Sequence, residues 1–155
     1  SCKKEKEYDP HYLNNVDLQF MERLSIANRA EIEKGQIAAS KSSNPSVVSF
    51  AQKITSNHTL AQQDLQNTAA YLGLSLNTTI TSSQEDLISQ LNDLAGYSFD
   101  TAYMNSQVED HRIILDLIKL EYNEGNHYAV RAFVNRHLDM FRNHFLKADS
   151  VRREL

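Results

Sequence analysis

The sequence predicts an all-α fold, a four-helix bundle, on three observations. Four long stretches carry apolar residues three, four or seven positions apart, which places them on one face of a helix. Only four glycines and two prolines are spread over 155 residues, and β-branched residues do not gather in the alternating runs that indicate strands. A composition of 41% hydrophobic and 23% charged residues suits one soluble domain with a real core.

The first two predicted helices form a hairpin. They span about 17–41 and 45–72, with boundaries set by turn and cap residues. Asn44 is a favourable N-cap, and Pro45 at the first helical position gives up an N–H that would be unpaired anyway. Gly35 costs about 1 kcal/mol relative to alanine inside a helix, which indicates close packing against a neighbour. A connection this short requires the two helices to run antiparallel.

A long crossover, residues 73–97, follows the second helix. Its first part is rich in Ser, Thr and Asn and has no helical period, so we expect a loop. Ser82 and Glu85 form a capping-box pair that introduces a short extra helix ending near Leu94. A helix of about 27 residues measures about 40 Å, a length that this crossover can span. The third long helix can therefore run parallel to the second.

The third and fourth predicted helices span about 99–124, with Ser98 as cap, and 127–153, and a short turn joins them. Two antiparallel hairpins joined by one crossover give the up-down-down-up arrangement of ferritin-like bundles. The alternative is an up-down-up-down bundle in which the long loop carries the short extra helix. The domain boundaries that follow are a charged N-terminal tether, 1–16, and the bundle, 17–155.

The amino-terminal tether contains Cys2, the sole cysteine of the chain, so no intrachain disulfide can form. A cysteine at this position followed by a charged run is typical of a bacterial lipoprotein whose signal has been removed, which predicts lipidation of Cys2 and a membrane anchor. An incidental thiol in a frayed terminus is the alternative. No run approaches the roughly 20 apolar residues that a membrane-spanning helix needs.

The charge and the motifs exclude several functions. A net charge of −4 and a pI near 5.8 argue against nucleic-acid binding, which requires clustered Lys and Arg. The sequence contains no dinucleotide or phosphate-binding glycine motif, no HExxH and no GxSxG. No nucleophile sits beside an acid–base partner, so we expect no catalytic residues and no enzymatic activity.

One titratable residue interrupts the apolar row of each long helix, and these are Glu31, His58, His111 and His144. Counting 1.5 Å per residue places Glu31 and His58 about 20 Å from the first turn. His111 and His144 then lie about 21 and 28 Å from the opposite end of a bundle about 40 Å long. All four residues converge near mid-height, and His137 fits the same level as an alternative on the fourth helix.

This polar layer has two interpretations. Imidazole and carboxylate groups together suit a single Zn, Fe, Cu or Mn ion, and bundle cores commonly hold such sites. The alternative is a structural layer in which Glu31 accepts hydrogen bonds and fixes helix register. A carboxylate-bridged di-iron centre is not expected because such centres use Glu-x-x-His pairs. Here Glu31 is followed three residues later by Lys34, and Glu109 by Arg112.

With these motifs in place, the chain resembles the bacterial domain-of-unknown-function family 4142, over about 17–149. The residues that carry the resemblance are Ala30, Glu31, Ile32, Gly35 and Ala38; Asn44, Pro45, Ser46, Val47, Phe50, Ala51, Ile54, Asn57, His58 and Ala61; Gly96, Phe99, Asp100, Tyr103, Met104, Val108, Asp110 and His111; and Phe133, Leu138, His144 and Ala148.

The resemblance implies a ferritin-like fold and a location in the cell envelope, periplasmic or at the outer membrane. It favours His144 over His137, and it places Asn57 where the family usually has Asp. Since the family has no established reaction, the functional expectation is an envelope lipoprotein domain that acts as a non-enzymatic binding or interaction module. The alternative is a mononuclear metal-binding protein with a redox or metal-handling role.

Overall fold

The structure, a computed structural model, describes residues 7–155, which form five α-helices and no strand. The helices are α1 (Asn15–Lys41), α2 (Pro45–Tyr71), α3 (Ser82–Asp93), α4 (Gly96–Glu124) and α5 (Tyr128–Glu154). The prediction of an all-α fold is confirmed. Among the described residues, no helix combines the length and apolar character that crossing a membrane requires. The lipidation candidate Cys2 lies outside the described residues.

Side-chain caps set the starts of the early helices. The Asn44 carboxamide accepts the first free N–H groups of α2, with Pro45 directly after it, as predicted. The capping box of α3, however, consists of Thr81 and Gln84, one residue before the predicted Ser82 and Glu85. Both pairs have the spacing of a capping box, and the sequence offers no local signal that separates them.

The last two helices differ from prediction by a few residues at their starts. α4 begins at Gly96, so the predicted cap Ser98 lies inside the first turn and Ala95 caps without a side-chain hydrogen bond. α5 begins after His127, whose Nδ1 accepts the N–H of Ala129 at 3.1 Å. His127 is therefore the N-cap of α5.

Opposite-end contacts define the directions of the long helices. The end of α1 meets the start of α4 through Ser42 and Asp100, and the start of α1 meets the end of α4 through Asn14 and Glu124. These two helices therefore run antiparallel. The helices α2 and α5 also run antiparallel, because their contacts rise in residue number along α2 and fall along α5. These contacts are Asn57 with His144, Asp64 with Arg136, and Tyr71 with Tyr128.

The buried apolar residues form two separate clusters, one at each half of the bundle. One cluster includes Phe20, Leu65 and Phe133, and the other includes Val47 and Phe99. The residues between them on each long helix are those that carry the polar layer. The core is therefore divided at mid-height, as the counting along the helices predicted.

Gly35 lies where α1 and α2 approach most closely. A Cβ added at Gly35 would lie 2.3 Å from Thr55 Oγ1 and 3.1 Å from the carbonyl oxygen of Ala51. The first distance is shorter than any normal contact, so a side chain here would push α2 away. The prediction that Gly35 serves close helix packing is confirmed.

Residues 9–14, which we expected to belong to the tether, pack against the turn between α4 and α5. The carbonyl oxygen of Pro10 accepts the N–H of Tyr128 at 3.0 Å. The Asn126 side chain donates to the carbonyl oxygens of Asp9 and Tyr12 at 2.8 and 2.6 Å. These contacts join the segment before α1 to the turn between α4 and α5, at the same end of the bundle.

A buried pair of carboxyl groups lies under this turn. Asp17 is fully buried and accepts the N–H groups of Asn126 and His127 at 2.9 to 3.1 Å. Glu121 is also fully buried, and its burial together with the nearby Asp17 raises its pKa to about 9. Glu121 is therefore protonated at neutral pH and can donate to the Asp17 carboxylate.

We expect Glu121→Gln to become progressively more stable relative to the wild type as pH rises from about 5 to about 9. In that window the wild-type folded state retains a proton that the unfolded state loses, so its free energy of unfolding falls by up to about 1.4 kcal/mol per pH unit. Glutamine keeps an N–H donor and does not titrate. Urea denaturation of both proteins at pH 5.5, 7 and 8.5 measures the difference. Parallel stability curves would show that Glu121 ionises normally in the folded protein.

Candidate metal centre

Three histidines from three helices meet at mid-height. His58 of α2, His111 of α4 and His144 of α5 each present one nitrogen, and these three atoms lie within 4.8 Å of one another. His58 and His111 are fully buried, and His144 is 4% exposed. The rings contact one another, with centroids 5.2 to 5.4 Å apart. The structure thus brings together three of the four residues that the sequence placed in the polar layer.

The orientation of His58 is set by a chain of polar side chains between α1 and α2. Its Nδ1 lies 2.8 Å from Asn28 Oδ1, so with the Asn28 amide in this orientation Nδ1 carries the proton. Asn28 in turn donates to Gln62 Oε1 at 3.0 Å, and Gln62 donates to Ser25 Oγ at 2.8 Å. Because the chain runs in one direction, it leaves His58 Nε2 as a free lone pair in the neutral ring.

His111 is oriented in the same way by its own helix. Its Nδ1 lies 2.8 Å from the carbonyl oxygen of Gln107, which can only accept, so the proton is again on Nδ1. The Nε2 atoms of His111 and His58 then face each other at 3.2 Å. With a proton on neither atom, two lone pairs point at one another. A proton or a metal cation between them is needed to make this contact favourable.

His144 completes the group from α5. Its Nε2 lies 2.9 Å from the side-chain amide of Asn57, while its Nδ1 is buried and has no hydrogen-bond partner among residues 7–155. Rotation of the Asn57 amide by 180° exchanges its donor for its acceptor. Asn57 Oδ1 would then accept Nε2–H and leave the Nδ1 lone pair free. Asn57, directly before His58 in sequence, thus orients a ring on a different helix.

The environment keeps all three rings neutral. Burial lowers the pKa of His58 well below its usual value, and the neighbouring His111 lowers it further. Burial also lowers the pKa of His111, although the Glu31 carboxylate opposes the effect. For His144, burial and His111 lower the pKa to about 3. A shared proton is therefore unavailable at neutral pH, and the unprotonated nitrogens are in the state that metal coordination requires.

Glu31 lies beside this group and is bound to other residues. Its Oε1 forms an ion pair with Lys34 Nζ at 2.6 Å, and Lys34 Nζ also contacts Asp110 Oδ2. Burial alone would raise the pKa of Glu31, but Lys34 and the histidines outweigh it and the pKa is lowered. Glu31 Oε2 is buried and has no partner among the described residues. Glu31 is therefore an ionised carboxylate next to the histidines and outside their group.

His137, the alternative on the fourth helix, lies elsewhere. Its Nε2 is 2.6 Å from Asp64 Oδ2, and Asp64 also pairs with Arg136 at 3.0 Å. The ring packs against Phe133 at 4.5 Å between centroids. The structure thus places His137 in a surface ion-pair network rather than with the three histidines.

Sequence reasoning missed several polar residues of the layer. The Asn28 side chain positions His58, Gln107 positions His111 through its backbone carbonyl oxygen, and Lys34 pairs with Glu31. Asn28 is three residues before Glu31, and Gln107 is four residues before His111, so helical spacing alone puts each on the core-facing side. The burial of Lys34, which is 2% exposed, has no such signal because lysines on helices usually reach solvent.

The sequence profile of the domain of unknown function DUF4142 matches residues 3–151. This chain belongs to the DUF4142 family. The resemblance predicted from its spaced motifs is confirmed. A search of curated proteins gives no match. Among solved structures, a DUF305 fragment from Deinococcus radiodurans is similar, with a TM-score of 0.82 and 11% sequence identity. The similarity covers 92% of this chain and 99% of that one and concerns the fold alone.

Proposed function

We propose that this DUF4142 domain binds one transition-metal ion through His58, His111 and His144 and serves a redox or metal-handling role. One observation carries the proposal: three buried imidazoles from three helices each bring one nitrogen within 4.8 Å of the others, and the Nε2 atoms of His58 and His111 face each other 3.2 Å apart. When both of these rings carry their proton on Nδ1, the two lone pairs repel unless a cation lies between them. The third histidine supplies a further nitrogen from α5.

The spacing of the nitrogens suits coordination. Nitrogens bound about 2.05 Å from a tetrahedral metal are separated by roughly 3.3 Å. His58 and His111 are 3.2 Å apart at Nε2, and a contraction of the group from its 4.8 Å limit would bring in His144. A set of imidazoles suits Zn, Cu and Fe, and Mn if an oxygen ligand is added. Among residues 7–155 no carboxylate belongs to the histidine group, which argues against a di-iron centre.

The alternative, a structural layer held by hydrogen bonds, fits the geometry less well. It requires a hydrogen bond between His58 and His111, and therefore a proton on one Nε2 atom. Placing that proton on His111 would turn Nδ1 toward the Gln107 carbonyl oxygen, which is repulsive. Placing it on His58 requires the Asn28 and Gln62 amides both to be reversed, so that Asn28 donates to His58 Nδ1, Gln62 donates to Asn28 and Ser25 donates to Gln62. A non-enzymatic interaction module is thus the less favoured function.

Metal titration of the purified protein tests the proposal. The protein is prepared without an affinity metal or chelator and incubated separately with Zn, Fe, Cu and Mn. We expect about one ion per chain by elemental analysis, and a rise of about 5 to 10 °C in Tm at a free metal concentration about 100 times Kd. Absence of bound metal and an unchanged Tm with all four ions would refute it.

We further propose that the four long helices form the up-down-down-up bundle of ferritin-like proteins, with α3 as an insertion in the crossover. The antiparallel contacts of α1 with α4 and of α2 with α5 support this topology. The helices α2, α4 and α5 supply one histidine each, and α1 supplies Asn28, whose side chain contacts His58. An experimental structure with the opposite direction for α4 would contradict it.

The proposed location is the bacterial cell envelope, with a lipid anchor on Cys2. The support is the position of Cys2 before the charged run Lys3 to Glu7. A two-signal or diacylated anchor is needed for stable membrane attachment. Mass spectrometry of the amino-terminal peptide from the native organism tests this, because an acylated Cys2 carries added fatty-acid mass and an unmodified thiol does not.

A further inference from the structure

A groove between α2 and α5 leads from the surface to the three-histidine site. Of the three imidazoles, His144 alone lines this groove and is partly exposed, at 4%. We name it the lysine groove, and its lining residues are Ser49, Phe50, Lys53, Ile54, Asn143, His144 and Lys147. It is the side on which the histidine group lies closest to solvent.

The lysine groove is positively charged in a protein whose net charge is −4. Two of its lining residues, Lys53 and Lys147, are lysines, and none is acidic. Neither lysine forms an ion pair with any residue from 7 to 155. Unpaired cations beside a concave surface attract anions and raise their local concentration.

The coordination of a bound metal would be incomplete with protein ligands alone. Three histidine nitrogens leave at least one position open on a four-coordinate ion. Glu31, a neighbouring carboxylate, is held by Lys34, which also contacts Asp110. The three imidazoles are neutral ligands and do not offset the charge of a divalent ion, and an anion as the fourth ligand would do so.

We propose that the fourth ligand of the site is a small anion, which reaches the metal through the lysine groove past Lys53 and Lys147. This inference rests on the proposed metal-binding function and names the class of exogenous ligand that the site accepts. Access from one charged side selects anions over neutral and cationic molecules of the same size. The lysines act as positioning residues for the approaching anion and do not coordinate the metal.

Azide titration of the Cu(II)-loaded protein tests the inference, because azide bound to Cu(II) gives a charge-transfer absorption band. The variants are Lys53→Glu and Lys147→Glu, and the matched control is Lys119→Glu, which changes net charge equally on the exposed face of α4. At low ionic strength we expect each groove variant to bind azide about tenfold more weakly than the wild type. The control should remain within about twofold, and added salt should weaken binding to the wild type most.

The outcomes separate this inference from the proposed function. Metal content is measured on the same samples, so a wild-type protein that binds neither copper nor any of the other three metals would refute the metal site itself. Full copper content with no azide band would overturn the inference alone. Equal azide affinity in Lys53→Glu, Lys147→Glu and Lys119→Glu would likewise overturn it, since the groove would then have no part in anion access.

Discussion

Replacing His58 with alanine is expected to reduce bound metal from about one ion per chain to less than about a tenth. The Nε2 atom of His58 lies 3.2 Å from Nε2 of His111, and its ring stacks on that of His144 with 5.2 Å between the centroids. Two remaining histidines do not hold a first-row metal ion as tightly as three. Elemental analysis and the loss of metal-dependent stabilisation on heating measure the effect.

The matched control is His137→Ala, which removes an imidazole of the same bundle that pairs with Asp64. This variant should retain full metal content. Circular dichroism verifies that each variant is folded, and His144→Ala, at the rim of the core, provides a second test with a smaller cavity. Unchanged metal content in folded His58→Ala would exclude the assignment of this residue as a ligand.

The histidine group could be predicted because helical spacing and distance from the turns are both properties of the sequence. His58, His111 and His144 interrupt apolar rows, and a rise of 1.5 Å per residue places them at one level. Their mutual distances could not be predicted, since the rotation of each helix depends on packing. Glu31 and Lys34 are adjacent on α1 in any case, and helix packing buries this pair beside the histidines rather than bringing Glu31 among them; it also turns His137 toward Asp64.

The positions at which the helices begin also depend partly on local sequence and partly on tertiary packing. The cap at Asn44 was predictable because the Asn-Pro pair determines it locally. The starts of α3 and α4 were shifted because alternative caps lie only one to three residues apart. The burial of Lys34 depends on Asp110, which is 76 residues away in sequence, and no local pattern reports such a contact.

Replacing Lys34 with methionine is expected to destabilise the folded protein by about 3 to 5 kcal/mol, the usual cost of removing one partner of a buried ion pair. Lys34 is 2% exposed and contacts both Glu31 and Asp110. Methionine fills similar volume, so the loss is electrostatic. It leaves Glu31 as a buried carboxylate without its cation. Thermal unfolding at pH 7 should show a decrease in Tm on the order of 10 °C.

The same loss should depend on pH in a direction that identifies its cause. In the wild type, Lys34 keeps the pKa of Glu31 below its unfolded value of about 4.5, so the pair contributes stability above that pH and loses it as pH falls. In Lys34→Met, burial raises the pKa of Glu31, and protonation relieves the penalty at low pH. The deficit should therefore shrink as pH falls through the raised pKa of Glu31 in the variant, and shrink further below about pH 4.5. Adding Glu31→Gln should recover part of the deficit at pH 7. Arg112→Met, which breaks the exposed pair with Glu109, is the control and should change stability by no more than about 0.5 kcal/mol. A deficit that is the same at all pH values would indicate lost packing rather than an unpaired charge.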